Sequence, residues 1–185
     1  YSRSDRKGNY RMSGFEDAAP LGEDDFKKWM RKYATEVLQS VGLKKDMTVL
    51  DYGCGNGCYA LEAARIVAPG TVYAMDVDRE CLEEIRKDAT ERGVTNVRTE
   101  PVTEGALPLW EGKPPPDAVL LFDVLQMVEE REDLLGHLCE LARPGALVSV
   151  FPMHIGTQTM LEVAERSGSL ELRDRIGMLL NFQVV

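Results

Sequence analysis

Residues 49–57 read Val-Leu-Asp-Tyr-Gly-Cys-Gly-Asn-Gly, a short apolar run leading into glycines at three alternate positions. From Tyr59 to Val67 apolar residues then recur at helical spacing. A strand that passes through a glycine turn into a helix cannot fold back as a hairpin. Its next strand lies parallel to it, reached by a crossover. The same unit recurs along the chain, and that repetition restricts the fold more than any other feature.

Strands are expected at 48–51, 71–76, 96–100, 118–122 and 146–151. Between them, helical patterns run over 59–67, over a segment capped by Asp78 with Leu82, Ile85 and Ala89 as its core face, and around Leu134, Leu135, Leu138 and Leu141. Thr157 is placed to cap a further helix ending at Gly168. Residues 170–175 and 178–184 read as two closing strands, joined so tightly around Ile176-Gly177 that they must pair antiparallel. Upstream, Phe26, Trp29, Met30, Tyr33, Ala34, Val37, Leu38 and Val41 form one apolar stripe, read as a single helix stopped by Gly42. The expected class is therefore α/β, a mostly parallel sheet with helices on both faces. Residues 1–24 read as an arm or lid and residues 25–185 as one domain.

The net charge is −9, and Lys and Arg are scattered rather than clustered. A surface that neutralises nucleic-acid phosphates or anionic lipid is not expected from this balance. No apolar stretch is long enough to span a bilayer, and no secretory leader is read at the start. Cys54, Cys58, Cys81 and Cys139 match no zinc spacing, so no metal is expected and a reducing, cytoplasmic setting is the simple reading.

In parallel sheets ligands sit beyond the carboxyl ends of the strands, where strand order reverses. The glycine spacing here, Gly53, Gly55 and Gly57, is G-x-G-x-G and not the G-x-G-x-x-G of dinucleotide sites. Asp51 stands two residues before the first glycine. A carboxylate there opposes a pyrophosphate but suits a ligand with ammonium and sulfonium groups. Asp76, at the end of the second strand, is placed to accept hydrogen bonds from ribose hydroxyls.

Four segments carry a family resemblance. Residues 49–57 resemble the first motif of class I S-adenosylmethionine-dependent methyltransferases. Residues 72–78, Val-Tyr-Ala-Met-Asp-Val-Asp, are similar to their second-strand motif, and 117–125, Asp-Ala-Val-Leu-Leu-Phe-Asp-Val-Leu, to their fourth-strand motif. Residues 141–147, Leu-Ala-Arg-Pro-Gly-Ala-Leu, resemble the segment entering their fifth strand. The resemblance implies a Rossmann-like seven-stranded sheet whose last strand is antiparallel, with S-adenosylmethionine as cofactor and S-adenosylhomocysteine as product. It further implies that Asp51, Gly53, Cys54 and Gly55 hold the methionine part, that Asp76 binds the ribose and Val77 packs on the adenine. Thr103 and Glu104 would take the adenine edge, and Phe122 would touch the methionine end. Including residues 13–17, Ser-Gly-Phe-Glu-Asp, it points to small-molecule methyltransferases. Many relatives carry a His where this chain has Gln126.

Methyl transfer from a sulfonium needs positioning more than acid–base help, and a base only where the acceptor must lose a proton. The candidates near the strand ends are Asp123, His154 and, in the arm, Tyr10; His137 is read as an exposed helix residue. The expected partners are a small-molecule acceptor and a second copy of the chain. The alternative is a module of the same fold that binds S-adenosylmethionine without catalysis.

Overall fold

The computed structural model describes residues 21–185 together with the backbone of two short antiparallel strands, Arg3–Ser4 (β1) and Tyr10–Arg11 (β2). The rest of the expected arm, and the side chain of Tyr10, lie outside the described residues. Two helices follow, Glu23–Lys32 (α1) and Ala34–Val41 (α2), so α1 begins inside the segment read as arm. Where the stripe reads as one helix, Tyr33 leaves the helical region at φ −114°, ψ 35°. The i→i−4 hydrogen bonds continue through it, from Tyr33 N–H to Trp29 and from Val37 N–H to Tyr33. The apolar stripe therefore crosses the kink without a gap, which hides it from periodicity. Gly42 closes α2 in the left-handed conformation.

The remaining elements alternate as expected: β3 (Thr48–Tyr52), α3 (Cys58–Val67), β4 (Thr71–Asp76), α4 (Arg79–Glu91), β5 (Val97–Pro101), β6 (Ala118–Phe122), α5 (Arg131–Leu141), β7 (Leu147–Phe151), α6 (Thr157–Ser167), β8 (Leu170–Ile176) and β9 (Leu179–Val184). They form a seven-stranded sheet in the order β5-β4-β3-β6-β7-β9-β8. The first five are parallel, while β9 runs antiparallel between β7 and β8. The strand order reverses between β3 and β6. Their carboxyl ends thus splay the following loops apart at that point.

Within the continuous apolar runs, alternate residues enter opposite cores. Ala118, Leu120 and Phe122 join Phe26, Leu61 and Ile85 on one face. Val119 and Leu121 join Leu135, Leu138 and Met160 on the other. Asp78 caps α4 as expected, its Oδ1 accepting from Glu80 N–H, and Leu82, Ile85 and Ala89 are its buried face. Thr157 is not a cap. Gly156 occupies that position at φ 83°, and Thr157 is the first helical residue. His137 is half-buried rather than exposed, its Nε2 lying 3.0 Å from the Pro108 carbonyl. The loop before β6 lies back over α5, which no local pattern encodes. Among the described residues, no helix is long and apolar enough to cross a membrane.

α1 is fixed to the sheet by Phe26, fully buried, whose ring lies 5.4 Å from that of Phe151 at the end of β7. Phe26→Ala is expected to lower stability by about 3–5 kcal/mol through the lost burial and the cavity left behind. A fall in the urea midpoint with an unchanged slope measures this. A midpoint like the parent's would mean that α1 is not held by this ring.

Candidate functional site

The turn after β3 is built by close approach. Gly53 has φ +74°, and a Cβ there would lie 2.3 Å from Val124 Cγ2, in the segment after β6. A side chain at this position would therefore strain the fold and not only the site. Gly55 differs: at φ +49° its Cβ would meet nothing within 4 Å, so the turn faces open space there.

β4 holds the turn from the other side. The N–H groups of Gly53 and Cys54 donate to the Met75 carbonyl at 2.8 and 3.1 Å. Gly55 N–H donates to Asp76 Oδ2 at 2.7 Å, and Asp78 N–H to Asp76 Oδ1 at 3.0 Å. One carboxylate thereby ties the glycine turn to the start of α4. Asp51 sits beneath, 2% exposed, and its Oδ2 has no hydrogen-bond partner among the described residues. Burial, and secondarily the charge of Asp76, push its carboxyl up to about 7. A buried acid with no countercharge either stays protonated or must be paired with a cation. The Cys54 thiol, buried beside Asp51 and Asp76, is pushed far up, mainly by burial, so it is a protonated packing group and not a nucleophile.

On the β6 side, the Phe122 ring packs edge-on against Tyr59 at 4.9 Å. Burial first, with nearby charges including Asp123, pushes the Tyr59 hydroxyl up, so it stays protonated. Asp123 has a left-handed backbone at φ +59°. Its Oδ2 takes the Lys27 ammonium from α1, and its Oδ1 accepts from Gln126 Nε2 at 2.8 Å. His154, after β7, is exposed, and its N–H and Nδ1 lie 3.2 and 3.4 Å from Glu23 Oε2. Glu23 and Lys27, one turn apart on α1, thus hold Asp123 and His154, two of the three acid–base candidates.

The structure gathers Asp51, Gly53, Cys54, Gly55 and Asp76 around one turn, with Phe122 and Asp123 joined to it through Val124. Val77 is exposed just beyond Asp76, and Thr103 and Glu104 lie exposed on the loop after β5. Sequence reasoning missed Lys27 and Glu23, whose partners stand 96 and 131 residues away. The i, i+4 spacing was visible, but not what it faces. A cleft of about 440 Å³ lies on the outer side of the turn between α2, α3 and α4, touching Asn56 and Cys58 but not Asp51 or Asp76. Among the described residues, no group of three His, Cys, Asp or Glu side chains is placed to hold a metal ion.

A family model described as a methyltransferase domain matches residues 26–154. The chain belongs to that family. It is 31% identical over 115 residues to trans-aconitate 2-methyltransferase of Mycobacterium tuberculosis, a match covering 62% of this chain and 40% of the relative. The chain spans less than half the length of the relatives it matches. A crystal structure of a SAM-dependent methyltransferase from Aquifex aeolicus superposes with a TM-score of 0.71 at 23% identity, covering 89% of this chain and 100% of that one. The [4+2]-cyclase SpnF superposes with a TM-score of 0.63 at 22% identity, covering 77% and 60%. The expected fold, a seven-stranded methyltransferase sheet, is borne out.

The family's cofactor is S-adenosylmethionine, and the residues present fit it. An orphaned buried carboxylate oxygen, a turn open at Gly55 and a strand-end acid meet a ligand with an ammonium, a sulfonium and ribose hydroxyls but no phosphate.

The raised Asp51 carboxyl has a stability consequence. The unfolded chain ionises near 3.8 and the folded chain near 7, so the burial penalty grows as pH rises through that window and is complete above it. Asp51→Asn is expected to stabilise the free protein by about 2–4 kcal/mol at pH 8 and by almost nothing near pH 4. Thermal melts at the two pH values check this; an equal effect at both would deny the shift.

Proposed function

We propose that the chain is an S-adenosylmethionine-dependent methyltransferase acting on a small-molecule acceptor. The observation that carries this is the unpartnered, buried Oδ2 of Asp51 beside the open glycine turn. When bound, the cofactor supplies a methyl group already activated by its sulfonium charge. The chain then has to bind and orient.

In this proposal Asp51 faces the cationic methionine end, and the backbone of Gly53, Cys54 and Gly55 cradles it. Asp76 exchanges its Gly55 contact for the ribose hydroxyls. Val77, already exposed, covers one face of the adenine, with Thr103 and Glu104 at its edge. Phe122 borders the methionine end, and Asp123, His154 and Tyr10 stand on the acceptor side. Asp123 adjoins the turn through Val124, and His154 follows β7, held by Glu23. A small acceptor agrees with the name of the trans-aconitate relative. The net charge of −9 speaks against a nucleic-acid acceptor. Four free cysteines agree with a cytoplasmic setting. A homodimer is part of the proposal.

One structural neighbour bears the name of a cyclase, so the fold by itself does not decide between transfer and the alternative, binding without catalysis. The test therefore has two stages. S-adenosylhomocysteine is expected to bind in calorimetry and NAD is not. Asp76→Ala is expected to weaken that binding on the order of tenfold or more, through lost charge-assisted hydrogen bonds. Labelled S-adenosylmethionine is then incubated with a metabolite extract, where a labelled product supports transfer and its absence supports the silent module. Tight NAD binding without binding of the adenosyl-sulfur compound would reject both.

A further inference from the structure

Asp123 and Lys27 form an ion pair whose two halves are held very differently. The carboxylate is fixed. The Asp123 N–H donates to the Phe151 carbonyl at 3.2 Å. Gln126 Nε2 grips both its carbonyl, at 3.0 Å, and its Oδ1, at 2.8 Å. The cation is loose. α1 is pinned by Phe26 and Met30, but the ammonium rides on a four-carbon stem and the side chain is 29% exposed. The ammonium can swing away by rotation about its own stem, without moving α1. Beside the pair, Gln126 Oε1 is buried and has no donor among the described residues. A buried acceptor in that state calls for a hydrogen-bond donor from outside the fold.

The pair also borders the turn. Asp123 precedes Val124, whose side chain fills the place of a Gly53 Cβ, and it follows Phe122, which packs on Tyr59. An anionic acceptor drawn to Lys27 would face Asp123, which cannot turn away, with Asp51 and Asp76 behind it. An ammonium would meet a fixed carboxylate and an unsatisfied carbonyl instead.

We infer, on the methyl-transfer reading of this site, that the acceptor carries an ammonium group that displaces Lys27 from Asp123 and is anchored there between Asp123 and Gln126. Lys27 is then a stand-in that keeps the carboxylate paired while the site is empty, and a determinant of acceptor charge. While protonated, the anchoring nitrogen has no lone pair, so a different atom of the acceptor receives the methyl group.

The test uses n-butylammonium, which copies the lysine side chain, and butyrate as its anionic counterpart. Both are titrated by NMR into the full chain, with and without saturating S-adenosylhomocysteine. The parent protein is expected to bind butylammonium at least tenfold more tightly than butyrate. Lys27→Met should strengthen butylammonium binding at least tenfold, and Asp123→Asn should remove it, each with an otherwise native spectrum. Preference of the parent for butyrate, no gain in Lys27→Met, or no binding of either probe to that variant would overturn the inference. Failure of S-adenosylhomocysteine itself to bind counts against the cofactor reading instead, and the titrations without it still decide the acceptor charge.

Discussion

Asp51 is buried at the end of the central strand with one carboxylate oxygen that no group among the described residues satisfies. The glycine turn closes over this uncompensated acid. Val124 fills the space over Gly53, Met75 and Asp76 hold the turn through its N–H groups, and only Gly55 looks onto free volume. Desolvation disfavours the charged carboxylate by far more than an isolated interaction within the fold returns. The free protein therefore keeps about half of Asp51 protonated near pH 7, and its charge becomes favourable when a cation arrives. A pyrophosphate ligand would add repulsion to that cost. On the proposed reading this glycine turn is set toward a positively charged nucleoside.

α1 is the second organising element. Phe26 and Met30 bury its inner side, which makes it a wall rather than a flap. Its outer contacts, Lys27 with Asp123 and Glu23 with His154, reach the loops after β6 and β7, the two neighbouring strands on one side of the switch point. On the proposed reading the cofactor half of the site draws on β3 and β4, and the acceptor half on β6, β7 and α1. One sheet supports both, and the two meet where Val124 touches Gly53.

Much of this was legible in the sequence, because it is local. The cap at Asp78, the core face of Leu82, Ile85 and Ala89, and the continuous apolar run of 118–122 are each written within a few residues. So is the order of elements, and with it the topology, since parallel crossovers leave few choices. Asp51, Gly53, Gly55 and Asp76 could be singled out because their spacing is itself the chemistry. What was not legible depends on distant residues or on a single dihedral. The kink at Tyr33 leaves the stripe intact. Gly156 takes the cap from Thr157 because the preceding loop enters at a positive φ. His137 is half-buried by a proline-rich loop that lies over α5. The pairing of Lys27 with Asp123 joins two residues whose only relation is through the folded sheet.

The central claim is that the ligand's charge is received by an acid that must ionise to receive it. Calorimetric titration of S-adenosylhomocysteine near pH 6, in two buffers of different ionisation enthalpy, tests this directly. With the Asp51 carboxyl near 7 in the free protein, close to one proton is expected to leave per ligand bound, and affinity should rise with pH and level off above about 7. Binding with no proton released and with affinity indifferent to pH would contradict the account.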